Sequence, residues 1–425
     1  MPILETTYSA LLGAARLALP LLARGEGKLA RGVRGRAGVL ERAERWAAES
    51  RDRARPLVWM HAPSVGEGLQ ARETLRALRE RRPEVQIVYT YFSPSAERFA
   101  RSVPAEFADY LPLDTAREVR RMLDVLRPDV VAFSKTDVWP VLTREAARRG
   151  VRMALLSATL PAGSSRLGGA ARALLAPAYA RLDHVAAISA ADADRFAGLG
   201  VPAERRSVMG DARFDQVAAR AAAADLASPL LAPLAAPGRA TLVAGSTWPA
   251  DEEKLLPALA RLKRAGAAPR TILVPHEPTP EHLAASESAL ARLGLSSRRL
   301  SAPAAETDVL LVDRVGVLGD LYALADVAYV GGGWGSAGLH SVLEPAAFGA
   351  PVLFGPRHQN AREAAELIAL GGGFAPEGGE ALHDRIATLL AEPATRAAAG
   401  GAAAEYVRAN LGAAVRGAAV LEKLL

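Results

Sequence analysis

The chain has 425 residues, 50% of them hydrophobic and 23% charged, too long for one core and too apolar for disorder. It has no cysteine, which excludes disulfides, thiolate metal sites and a cysteine nucleophile. The net charge of +6 implies an anionic partner, and where that charge sits matters more than its sum.

Residues 8–23 form an apolar run, and residues 24–55 follow with ten Lys or Arg against five Asp or Glu. The run is short for a spanning helix, contains Arg16, and has no basic residues ahead of it as a cleaved signal would. A helix associated with a membrane is expected, with the basic segment against an anionic surface on the cytoplasmic side. Each Lys or Arg near such a surface contributes about 1 kcal/mol. The alternative is an N-terminal helix packed on the body. Trp46 is the only aromatic residue among these cations, so no nucleic-acid partner is expected.

From residue 57 onward, short apolar runs alternate with helical stretches. Runs 57–61, 85–91, 129–134, 151–157 and 184–189 predict buried strands, with helical periodicity over 69–82 and 117–126. An Ala-, Pro- and Leu-rich stretch at 218–240 carries no strand signal. A second series then begins, with strands predicted at 241–245, 270–275, 309–313, 327–330 and 351–354. This pattern predicts an α/β chain of two doubly wound, Rossmann-like domains with ligands in a cleft between them. The divisions are 1–55 for the apolar helix and basic segment, 56–218 and 241–401 for the two domains, and 402–425 for a C-terminal helix.

The first strand runs into Ala62-Pro63-Ser64-Val65-Gly66-Glu67-Gly68. Glycines flanking Glu67 permit a tight turn and an unscreened carboxylate, suited to take a proton from an acceptor hydroxyl. The bland reading is a carboxylate at a helix start. A later strand ends in Ser134-Lys135-Thr136-Asp137-Val138-Trp139-Pro140, whose polar groups and indole read as ligand lining or as a helix cap.

The strongest signal in the second half is Gly331-Gly332-Gly333-Trp334-Gly335-Ser336-Ala337-Gly338-Leu339-His340-Ser341-Val342-Leu343-Glu344-Pro345, between a strand and a helix. Glycines there allow a phosphate close to the backbone. Ser341-x-x-Glu344 reads as a capping box, or, with Pro345 as first helical residue, places Glu344 at the cap to meet ribose hydroxyls. Ser246 and Thr247 end one strand and His276 follows another, in positions for nucleotide contact. Arg213 is a candidate phosphate partner or a solvated surface arginine. The seven histidines show no metal-ligand spacing, and neither a metal nor a cofactor is expected.

These residues resemble the Kdo (3-deoxy-D-manno-octulosonic acid) transferases of lipopolysaccharide assembly, enzymes of the GT-B fold. The resemblance rests on His61-Ala-Pro-Ser-Val-Gly-Glu67, Trp139-Pro140, Gly245-Ser-Thr247-x-x-x-Asp-Glu-Glu253, Asp326-Val-Ala-Tyr-Val-Gly-Gly332 and His340-x-x-Leu-Glu-Pro-Ala346. It implies an inverting, metal-free transfer from a CMP-Kdo donor to a lipid A precursor, at the cytoplasmic face of the bacterial inner membrane. Glu67 is then the base for a glucosamine 6-hydroxyl, with Ser64, Lys135, Asp137 and Trp139 toward the acceptor. The donor is assigned to Arg213, Ser246, Thr247, His276, Gly332, Gly333, Gly338, His340, Ser341 and Glu344. Lys135-Thr-Asp-Val-Trp-Pro stands where the family usually carries E-T-E-x-W-P, Ser341 where it carries Asn, and Arg213 where it carries lysine. The residues alone leave two alternatives open: a UDP-sugar enzyme of the same architecture, and an inactive membrane-associated binding protein.

Overall fold

The computed structural model describes residues 2–235, 238–302 and 307–425, leaving out the side chains at 2, 3 and 15–22. It divides into two units, Met1–Gln216 with Leu411–Leu425, and Val217–Asn410. The first holds a parallel sheet of β1 (Leu57–His61), β2 (Gln86–Tyr91), β3 (Phe107–Tyr110), β4 (Val130–Ser134), β5 (Arg152–Ala158), β6 (His184–Ala187) and β7 (Arg206–Val208). Their order is β3-β2-β1-β4-β5-β6-β7. The second holds β8 (Thr241–Thr247), β9 (Arg270–Pro275), β10 (Ser297–Arg299), β11 (Val309–Leu311), β12 (Val327–Val330), β13 (Val352–Phe354) and β14 (Gly373–Phe374). Their order is β10-β11-β9-β8-β12-β13-β14, again parallel.

All ten predicted strands are present. The four that periodicity missed, β3, β7, β10 and β14, are the four sheet edges. The central strands β1, β2 and β4 are buried at every residue, because helices cover both faces of a parallel sheet. An edge strand has one neighbour and stays partly open, as in Ser297–Arg299, so it needs no apolar run.

Three helices precede β1: α1 (Pro2–Leu22), α2 (Lys28–Arg36) and α3 (Val39–Ser50). The start of α1 is docked on the body. Glu5 is buried and accepts from Arg181 Nη1 at 2.7 Å, and Ser9 Oγ accepts from the Ala116 amide at 3.2 Å. Side chains 15–22, which make up much of the apolar run, lie outside the description. No described helix is long and apolar enough to cross a membrane.

Much of the basic segment is consumed internally. Arg42 pairs with Asp109 at 2.6 Å, and Arg36 lies 4.0 Å over the Phe92 ring. Arg51 and Arg53 donate to the carbonyls of Leu126 and Val125, at the C-terminal end of the helix Ala116–Leu126, where its dipole favours cations. Arg24, Lys28, Arg31 and Arg45 have no such partner among the described residues.

The chain crosses into the second unit within the helix Ala212–Ala222, and the stretch after it buries Leu231 and Leu234 in that unit's core. The last helix, Ala413–Leu424, belongs to the first unit. Asp215 accepts from the Gly412 and Ala414 amides at its start, and Gly417 lies close against Met209 and Thr74.

Candidate active site

Each sheet has a point where successive connections diverge to opposite sides, between β1 and β4 in the first unit and between β8 and β12 in the second. Loops leaving the carboxyl ends at such a point are where open α/β sheets hold ligands. Glu67 and Lys135 follow β1 and β4. Ser246 and Thr247 close β8, the glycine run follows β12, and His276 follows the adjoining β9.

In the first unit, β1 passes almost directly into α4 (Val65–Arg81). The expected tight turn at Gly66 and Gly68 is instead the first turn of this helix. Gly68 is pressed against Phe99 and the Tyr89 hydroxyl, where a Cβ would collide. Ser64-x-x-Glu67 has capping-box spacing, yet the Ser64 hydroxyl donates to the Glu67 carboxylate and makes no cap bond to the backbone. Lys135 Nζ lies 3.2 Å from Glu67 Oε1. The expected unscreened carboxylate is therefore engaged on both oxygens, with its side chain 18% exposed. Burial pushes its pKa up, but the Ser64 hydroxyl, Lys135 and its own backbone amide prevail and hold it below the usual carboxylate range. Glu67 is ionised and oriented.

Asp137 accepts from His61 Nε2 at 3.0 Å and from Trp139 Nε1 at 3.1 Å. A carboxylate only accepts, so the fully buried His61 presents an N–H at Nε2, and its Nδ1 lies 3.1 Å from the Thr90 hydroxyl. Trp139 stacks on Phe92 at 5.5 Å. Neither Thr136 nor Asp137 caps the next helix, Pro140–Ala147. Asp114 does so from another loop, accepting from the Val141 and Leu142 amides at 3.0 and 2.8 Å.

In the second unit the buried carboxylates lie beneath the rim. Asp251 accepts from the Trp248 amide, the Gly332 amide and the Tyr329 hydroxyl, each at 2.9 Å. Glu252 accepts from Thr247 Oγ1 at 2.9 Å, His282 Nε2 at 3.0 Å and Ser286 Oγ at 2.6 Å. Thr247 is thus fully buried and supports the rim, whereas Ser246, at φ +53°, remains half-buried on it.

The space left by the glycines, expected to admit a phosphate, is filled by neighbouring backbone. A Cβ on Gly331, Gly332 or Gly333 would meet Ser246, Gly338 or Gly355 respectively. Gly332 also needs its φ of +95°. These three are packing glycines. Gly338 follows at φ +85°, and next to it Leu339 is clasped by the Asn360 side-chain amide at 3.1 and 3.0 Å.

The rim itself presents rings. The exposed His276 lies 4.3 Å from His340 and 4.8 Å from Trp248, in stacked geometry. Trp248 Nε1 donates to His340 Nε2 at 3.1 Å, which leaves the His340 proton on Nδ1. Burial and the neighbouring His276 lower its pKa, so it is a neutral donor.

Glu344 is not the cap. The helix is Leu343–Ala347 with Val342 at its N-cap, and Ser341 is exposed and outside it. Proline is tolerated anywhere in a first turn, whose amides have no intrahelical partner, so Pro345 did not fix the register. Glu344 stands 3.9 Å from Arg220 Nη1, and burial raises its pKa against the pull of Arg220. Arg213 lies elsewhere, in the first unit, with Nη2 2.6 Å from Asp211. Among the described residues, no three acidic or imidazole groups gather as metal ligands would.

Residues 36–216 match the family model described as 3-deoxy-D-manno-octulosonic-acid transferase (kdotransferase). A relative of that name from Bordetella pertussis is 35% identical over 87% of this chain and 87% of its own. The chain belongs to the Kdo transferase family. This transferase is therefore a glycosyltransferase. A Haemophilus influenzae relative of the same name is 28% identical over 84% of the chain and 85% of its own. UDP-GlcNAc 2-epimerase from Neisseria meningitidis superposes with a TM-score of 0.62 at 10% identity, covering 87% of this chain and 99% of that one. That likeness shows the fold alone, two Rossmann-like sheets of the GT-B class.

Three residues at this candidate site of the Kdo transferase were assigned no chemistry in sequence. Asp251 and Glu252 stood inside the matched motif, but only the fold shows them buried under the loops. Arg220 interrupts an alanine run, and nothing in its surroundings distinguishes it from a surface arginine.

Proposed function

We propose that this transferase moves Kdo from CMP-Kdo to a hydroxyl of a lipid A precursor in lipopolysaccharide core biosynthesis, with Glu67 as the base. The observation that carries this reading is the ionised Glu67 at the carboxyl end of β1, oriented by a hydroxyl and an ammonium, in a chain of this family. The acceptor oxygen attacks the anomeric carbon of Kdo and its proton passes to Glu67. The bond to the CMP phosphate breaks, its electron pair leaving with CMP, and the configuration inverts.

The second unit takes the nucleotide. His276 offers an exposed ring, His340 a neutral ring with an Nδ1–H, Ser246 and Ser341 offer hydroxyls at the rim, and Glu344 beside Arg220 meets ribose hydroxyls. Gly332, Gly333, Gly338 and Thr247 hold the loops in place. Arg213 serves the donor phosphate only by leaving Asp211.

The test is Glu67→Gln with CMP-Kdo and a lipid A precursor. Turnover falls at least about 100-fold, the lower range for base catalysis, while folding and CMP binding are kept. Unchanged turnover refutes the assignment, and release of UDP from a UDP-sugar in place of CMP refutes the donor.

The protein works at the cytoplasmic face of the bacterial inner membrane. Support comes from the exposed Leu4, Leu11 and Leu29, and from Arg24, Lys28, Arg31 and Arg45, which have no partner among the described residues. Binding to vesicles with anionic lipid should weaken as salt rises, and salt-independent binding contradicts the electrostatic part.

A further inference from the structure

The base is held by a cation that has no other anionic partner among the described residues. Lys135 leaves β4 at φ +59°, a left-handed backbone that an L residue adopts only at a cost, and this conformation brings its ammonium to Glu67. Its amide is secured on the Leu156 carbonyl at 2.9 Å, so the backbone stays while the side chain can swing. Asp137, two residues on, is committed to His61 and Trp139 and does not compete for it. Of the pair, Lys135 is the more exposed, 36% against 18% for Glu67, so a ligand can reach the ammonium without displacing the carboxylate. Part-exposed ion pairs of this kind are weak and exchange readily. The Ser64 hydroxyl donates to the Glu67 oxygen that Lys135 does not hold, a restraint on the carboxylate separate from the lysine.

We propose that Lys135 is a latch on Glu67 that an oxyanion of the substrate opens. The ammonium exchanges the Glu67 carboxylate for a phosphate or carboxylate of the incoming substrate, and the base is unmasked only when the site is filled. This rests on the reading of Glu67 as base. Among the described residues, the Ser64 hydroxyl and the Lys135 ammonium face Glu67, and the Tyr89 hydroxyl from β2 feels its charge. Arg72, a turn further along α4, is spent on Glu73 at 2.9 Å. Lys135 is accordingly a positioning and anion-recognising residue.

The test uses the full chain with CMP-Kdo and a lipid A precursor, comparing Lys135→Gln, Lys135→Arg and Glu67→Gln. Lys135→Gln should raise KM for the anion-bearing substrate about tenfold. It should move the acid limb of kcat/KM, which reports the free enzyme, to higher pH, and it should increase CMP release when no acceptor is present, because the base is no longer masked. Lys135→Arg should keep most of the wild-type behaviour. A KM rise confined to the lipid identifies its phosphate as the opener, and one confined to CMP-Kdo identifies the sugar carboxylate. If Lys135→Gln leaves both KM values and acceptor-free CMP release unchanged while Glu67→Gln is inactive, the latch is overturned and the base stands. If Glu67→Gln remains active, the base itself is wrong, and the latch falls with it.

Discussion

The two points of divergence, one in each sheet, solve the same topological problem with opposite electrostatics. In the first unit the charges stand on the rim: Glu67 and Lys135 are paired with each other, part-exposed and free to exchange. In the second unit Asp251 and Glu252 are under the rim, where Asp251 is completely buried and holds two amides and a hydroxyl, and the rim above them presents the stacked rings of Trp248, His276 and His340. A part-exposed pair can change partners at little cost, whereas stranding buried donors is expensive. The first arrangement suits proton transfer, and the second suits holding a nucleotide in one pose.

The contrast can be broken most severely at Asp251. Asp251→Ala strands three donors at about 1–3 kcal/mol each, so chemical denaturation should show a loss of about 3 kcal/mol or more. A variant as stable as wild type would mean that the carboxylate is not the organiser of the loop. Gly332→Ala comes next. The left-handed backbone alone costs about 1–3 kcal/mol, and the new Cβ meets the Gly338 carbonyl. CMP affinity, read by calorimetry, should fall while the pH profile of whatever turnover remains keeps its shape.

The smallest effect separates the units by titration. The His340 pKa is lowered by burial and His276, so the folded form takes up its proton less readily than the unfolded chain. Its contribution to stability is complete above the ordinary histidine value of about 6.5 and erodes as pH falls through the window below it. The melting temperature should follow that trend, and less so in His340→Gln. Glu67, shifted the other way relative to its charge, stays ionised until pH falls below the ordinary carboxylate value of about 4.3. Turnover on the acid side should therefore persist through the range where His340 titrates. An acid limb near pH 6.5 abolished by Glu67→Gln would reverse this ordering.

How much could be read beforehand follows from which signals are local. A strand buried on both faces must be apolar at every position, so the ten central strands were visible, while edge strands such as Arg206–Val208 and Gly373–Phe374 carry no such constraint. Glu67 was legible from its place after a buried strand. That Lys135 would reach it was not, because the two are 68 positions apart and meet only when β1 and β4 pair. The glycine run was legible as a special backbone, but its purpose was misread: a gap for a ligand and a gap for a neighbouring loop require the same residue.

By itself, then, the sequence determined the parallel architecture, the family and the strand ends from which the site is built, because burial and backbone geometry leave periodic and compositional marks along the chain. Only the tertiary structure decided the partners: Lys135 on Glu67, Asp251 under Gly332, Arg220 beside Glu344, and the many basic-segment arginines spent on carbonyls and carboxylates. A charged side chain looks the same in sequence whether it meets solvent, substrate or another residue, and which of these it meets is set by contacts between distant segments.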